Sequence, residues 1–113
     1  MKESEIKIKI SLDENKVPEQ IHWTAEDAGE RDQKSEAVLI SLWDAEQQNS
    51  LRIDLWTKDM KVDEMKTFFH QTLTAMSETF ERATGDEKMA SDMRRFCQYF
   101  AEELNLIKDV DKK

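Results

Sequence analysis

Apolar and polar residues alternate through Ile6, Ile8, Ile10 and Leu12, with Lys7, Lys9 and Ser11 between them. A period of two puts the four aliphatic side chains on one face of a strand and the lysines on the other. Asp13-Glu14-Asn15-Lys16 then reads as a polar turn, in which Asn15 best tolerates a positive φ because its side chain can bond locally. A return strand follows, with Pro18 near its start and on an edge; Val17, Ile21 and Trp23 share one face, and His22 lies on the other. The charged stretch from Ala25 to Glu36 has no periodicity and has Gly29 inside it, so an exposed, mobile loop is expected. Ala37 to Trp43 is apolar on both faces, the pattern of a central strand covered on both sides. After a polar loop over Asp44 to Ser50, Leu51, Ile53 and Leu55 alternate with Arg52, Asp54 and Trp56.

The period then changes to that of a helix. Val62, Met65, Phe69, Thr72, Leu73, Met76 and Phe80 form one stripe, with Asp59 as a possible cap and Asp63 and Glu64 at the positive dipole end. Gly85 is placed to end this helix and Asp86 to start the next, whose stripe is Met89, Met93, Phe96, Cys97, Phe100, Ala101 and Leu104, closed by Asn105. So short a connection makes the helices antiparallel. The expected strands cover about 4–12, 17–24, 37–44 and 50–56, and the helices about 60–84 and 87–104, before a charged tail over 106–113. The fold class is α+β: a four-stranded antiparallel meander followed by an antiparallel two-helix hairpin packed on one sheet face. A chain of 113 residues fits a single domain over 1–113.

Charge narrows the partners. With 25 acidic against 17 basic residues the net charge is −8, which opposes nucleic-acid binding and bare acidic membranes. Cys97 is the single cysteine, so no intrachain disulfide forms. The start, MKESEIKIKIS, lacks the apolar run of a signal peptide, and no segment is long enough to insert in a membrane. A cytoplasmic, reduced protein is the expectation.

Chemistry-bearing groups are sparse. His70 has Thr74 at i+4 where a metal site needs a second ligand, and His22 has no neighbouring partner. Cys97 lies inside an apolar stripe without a nearby base, which suits a buried thiol better than a nucleophile. Asp54, Asp59, Asp63 and Glu64 lack the alternating donors and glycine turn of a calcium loop, and capping and dipole roles explain most of them. Met65, Met76, Met89 and Met93 are expected as adaptable core packing. No metal, cofactor or catalytic set is assigned. Trp23, Trp43 and Trp56 fall at or near strand ends, and Trp56 alternates away from Leu51, Ile53 and Leu55. An uncovered aromatic patch marks a protein interface, so these three are the candidate interface residues.

The segments SLWD (41–44), LRIDLWTKDMKVDEMKTFFHQTL (51–73) and ETFERATGDEKMASDMRRFCQYFAEEL (78–104), with SEIKIKISLDENKVPEQIHW (4–23), resemble the gliding motility protein GldC family of the Bacteroidetes. DLWTKDM and TFERATGD are the distinctive strings. Lys61 stands where the family is expected to have a proline, which would suit the first helical position. The resemblance implies a small non-enzymatic accessory of gliding motility acting inside the cell; it carries over no catalytic or ligand residue. The leading expectation is a cytoplasmic module that binds a protein of the gliding machinery through the sheet face or the Trp43/Trp56 end, with a homo-oligomer open. The alternative is a secretion-type chaperone or holdase that oligomerises and binds protein clients, which rests on fold analogy. An enzyme or metal protein built on His70, Asp59 and Asp63 ranks last.

Overall fold

The computed structural model describes residues 2–106. The fold is α+β, and the chain divides into two compact units, residues Met1–Met60 and Lys61–Lys113. The first unit holds five strands: β1 (Lys7–Leu12), β2 (Pro18–Ala25), β3 (Glu30–Ser35), β4 (Ala37–Asp44) and β5 (Asn49–Trp56). The second holds α1 (Val62–Thr84) and α2 (Glu87–Glu103).

The expected four-stranded meander with a helical hairpin on one face is corrected. The strands form two antiparallel sheets, β1-β2-β3 and β4-β5. The segment read as a loop over 25–36 contains a 3₁₀ turn, Glu26–Ala28, then Gly29 at φ 78° and strand β3. β3 lies against β2, with Ile21 opposite Ser35 and His22 opposite Lys34. Nor is β4 a central strand, since β5 is its one ladder partner among the described residues.

In the three-stranded sheet the alternation of β1 holds: Ile8 and Ile10 are half-buried and Lys7 and Lys9 exposed. Ile6 lies before the strand and is exposed. Ile21 on β2 is completely buried and anchors this sheet. The β1–β2 turn is tied by Asp13, whose Oδ1 accepts from the Asn15 and Val17 amides at 2.8 and 2.9 Å. The positive φ falls on Lys16 (65°), not Asn15. The Asp13 amide on the Val17 carbonyl closes a three-residue loop, which takes its left-handed residue last, and that slot belongs to Lys16.

Beyond β5 the chain returns to this turn. The Lys58 amide donates to the Pro18 carbonyl at 3.1 Å, and Lys58 Nζ lies 3.1 Å from both Asp13 and Glu19. The Val17 amide, with Lys58 next, holds the Asp13 carboxyl below its ordinary value, while Asp13 and Glu19 raise Lys58.

The helical unit follows its caps closely. Lys61, not Asp59, is the N-cap of α1, and Glu64 Oε1 accepts from the Lys61 amide at 3.2 Å. A lysine side chain has no acceptor, so the reciprocal half of a capping box is missing. Gly85 at φ 73° ends α1 with its amide on the Glu81 carbonyl. Asp86 caps α2 by accepting from the Met89 amide at 2.9 Å. Asn105 at φ 56° closes α2, and the Leu106 amide reaches back to the Ala101 carbonyl at 2.8 Å, a Schellman ending. The expected tail over 106–113 lies outside the described residues apart from Leu106.

Residues buried on the helices are small: Ser77 on α1 and Ala90, Cys97 and Ala101 on α2. Arg94 of α2 pairs with Glu81 of α1, which raises the guanidinium above its ordinary value. Met65 and Met93 are half-buried as expected, but Met76 and Met89 are exposed, as are Val62, Phe69 and Phe96. The apolar stripes are wider than the strip of small residues that is fully covered.

Candidate protein-interaction surface

The β4–β5 hairpin is a regular ladder from Ala37↔Trp56 to Asp44↔Asn49, without a bulge. Asp44 sets its turn by accepting from the Glu46 and Gln47 amides at 3.0 and 3.2 Å, and Gln48 supplies the positive φ of 54°. The register sorts side chains onto two faces. One face is aliphatic over three rows, with Val38 opposite Leu55, Ile40 opposite Ile53 and Leu42 opposite Leu51, and ends at the turn in Asp44 opposite Asn49. The other has Ala37 opposite Trp56, Leu39 opposite Asp54, Ser41 opposite Arg52 and Trp43 opposite Ser50. Arg52 Nη2 lies 3.1 Å from the Asp54 carboxylate on that second face.

Trp43 and Trp56 therefore share a face, and Trp56 does point away from Leu51, Ile53 and Leu55. They do not share an end. Six steps of strand separate their rows, about 20 Å at ~3.4 Å per residue. Trp43 is 64% exposed and Trp56 54%. The aliphatic face is open toward the turn, where Leu42 and Leu51 are 54% and 53% exposed. Trp23 belongs to the other sheet, half-buried on β2 between Ile8 of β1 and Gln33 of β3. The structure thus brings two of the three candidate tryptophans onto one surface and leaves Trp23 off it.

A second uncovered apolar area lies on the helical unit, where Leu73, Met89, Met93 and Phe96 surround Cys97 in an open depression with Asp92 at its margin. The alternation of β4 and β5 announced the first area. The second was hidden because its residues follow a helix stripe that reads as core.

The groups with reactive potential stay apart. Cys97 is buried, and the half-buried His70 stacks on Phe100 with ring centroids 6.2 Å apart. Among the described residues no three His, Cys, Asp or Glu side chains gather as a metal site, and no helix is long and apolar enough to cross a membrane.

Fold and surface together define a small α+β protein whose distinguishing chemistry is exposed apolar surface on a two-stranded hairpin. The chain belongs to the GldC-like family: the family model described as gliding motility-associated protein GldC-like matches residues 18–106. The match takes in β2 through α2 and starts after β1, so the N-terminal part of the resemblance, 4–17, lies outside it. No curated protein and no solved structure matches the chain.

Proposed function

We propose that this chain is a non-enzymatic accessory of bacterial gliding motility that acts as a cytoplasmic protein-interaction module. Membership of a gliding motility-associated family supports the process. The observation that carries the interaction role is the exposure of Trp43 and Trp56 on one face of an otherwise regular hairpin. Large exposed rings are costly in water and suit the centre of an interface, where aromatic side chains contribute most of the affinity. The partner in this reading is a protein of the gliding machinery; nucleic acid is disfavoured by the net charge of −8.

The test replaces the resident copy in gliding cells with a Trp43→Ser, Trp56→Ser double variant whose folding is verified by circular dichroism. Loss of gliding, with loss of a crosslinked motility or envelope protein captured by the unaltered chain, is the expected result. Unchanged gliding with a folded variant would overturn the reading. The uncovered Met89 and Phe96 on α2 favour one alternative, a holdase for partly folded clients. Suppression of client aggregation near equimolar ratio supports that alternative, and no suppression removes it.

A further inference from the structure

The two sheets have four outer strand edges, and they differ in what they offer a neighbouring strand. β1 carries Lys7 and Lys9, a lysine-bearing edge that discourages pairing. β3 is irregular: its pairing to β2 shifts between Trp23 and Ala25, and Asp32 sits at φ 47° with its amide on Thr24 Oγ1. Such a bulge twists an edge away from a partner. β4 is half-buried from Ala37 to Ile40. β5 is regular, and every residue from Asn49 to Trp56 except Leu55 is exposed.

The backbone of β5 has a defined direction. The Thr57 amide donates to the Glu36 carbonyl at 2.8 Å, one step beyond the Ala37↔Trp56 row. Rows in an antiparallel ladder alternate between hydrogen-bonded and non-bonded pairs. Leu51, Ile53 and Leu55 consequently turn their N–H and C=O groups toward β4. Ser50, Arg52, Asp54 and Trp56 turn theirs outward, where no strand meets them among the described residues.

We propose that β5 is the edge through which two copies of this chain pair, antiparallel about a two-fold axis at Ile53, with Arg52 of each copy opposite Asp54 of the other. The pattern of β5 selects this register. In it the outward residues face one another, Arg52 against Asp54 and Ser50 against Trp56, as hydrogen-bonded rows. A slide of one residue sets outward groups of one copy against inward groups of the other. A slide of two sets Arg52 against Arg52 or Asp54 against Asp54, a like-charge contact. The symmetric contact is self-complementary, as a two-fold dimer requires.

This pairing also gives the two faces of the hairpin a use. Leu51 comes opposite the second copy's Leu55, and Ile53 opposite its counterpart, so the aliphatic face runs unbroken across four strands. On the other face Trp43, Ser50 and the second copy's Trp56 form one row. The two tryptophans, held at opposite ends of one hairpin, then stand on either side of a serine at each end of the pair. The Arg52–Asp54 ion pair within each copy becomes part of a four-charge cluster around the axis.

Sedimentation equilibrium of the purified full chain tests the pairing without reference to gliding, so either conclusion can fail while the other stands. The unaltered chain is expected to be a dimer. Arg52→Asp alone and Asp54→Arg alone each set like charges opposite one another twice, and each is expected to weaken association about tenfold or more. An equimolar mixture of the two single variants restores both opposite-charge rows and is expected to recover the dimer as a heterodimer. The double exchange within one chain is expected to recover the homodimer. A monomeric unaltered chain, a dimer indifferent to both single variants, or no recovery on mixing would each overturn the proposal. Circular dichroism of each variant separates lost pairing from lost folding.

Discussion

Strands β1 and β2 of one sheet and β4 and β5 of the other carry the same apolar alternation and come to different ends. In β1-β2-β3 the alternation leads inward, to Ile21 at 0% exposure, and both outer edges carry features that repel a further strand. In β4-β5 the alternation is just as regular, yet no residue of either strand is fully buried: Trp43 and Trp56 are exposed on one face, and the aliphatic face opens toward the turn at Leu42 and Leu51. A period of two therefore specifies that a strand has an apolar face, without specifying whether the same chain covers it. The first sheet buries part of its apolar face, and the second leaves much of its own exposed.

Shortening an apolar side chain in each sheet separates the two most strongly. Ile21→Ala removes a fully buried side chain and is expected to cost about 2–4 kcal/mol in urea unfolding. Leu42→Ala, at an open site on β4, is expected to cost less than ~1 kcal/mol in the same titration at low protein concentration. Equal losses would show that the hairpin face is covered by its own chain. Gly85→Ala comes next, with an expected loss of about 1 kcal/mol. The added methyl meets nothing within 4 Å, so the cost is the left-handed φ of 73° alone.

The third prediction concerns acid. Asp13 has its folded value depressed, so its contribution is fully present above the ordinary carboxylate range and is lost as pH falls through the folded value, below 3.8. Lys58 is raised, and what it contributes through its two carboxylates persists until alkaline pH, through and above its ordinary 10.5. Asp13→Asn is expected to flatten the acid side of the stability profile, measured by thermal melting at stepped pH, and to leave the neutral plateau only slightly lower, because Lys58 is solvent-exposed and asparagine keeps an oxygen for the Asn15 and Val17 amides. The smallest effect is optical. Acrylamide is expected to quench the fluorescence of a Trp23→Phe variant, which retains Trp43 and Trp56, more strongly than that of a Trp43→Phe, Trp56→Phe variant, which retains the half-buried Trp23.

Much of this was legible from residue patterns, for reasons that differ by element. The helices were readable because their ends are chemically marked: Gly85 and Asn105 take left-handed backbone, and Asp86 offers an oxygen to the Met89 amide. β3 was not readable, since Glu30-Arg31-Asp32-Gln33-Lys34 has no apolar alternation. An edge strand held by backbone bonds to β2 needs none. The division into two sheets was equally hidden, because strand periodicity says nothing about which strand is the neighbour. Of the candidate surface, the opposite facing of Trp56 and the aliphatic residues followed from parity. The distance between Trp43 and Trp56 did not, because it depends on the turn that sets Trp43 opposite Ser50 and Trp56 opposite Ala37.

An uncovered β5 edge that receives a second strand has a distinct signature in residue-resolved amide hydrogen exchange. Measured on the unaltered chain across a dilution series, the Leu51, Ile53 and Leu55 amides should stay protected by β4 at every concentration. The outward Arg52, Asp54 and Trp56 amides should exchange freely when dilute and become protected as the chain is concentrated. Protection of the outward amides even at the lowest concentration would mean that the chain covers this edge itself. Free exchange at every concentration would mean that no second strand arrives, and either result would contradict the account.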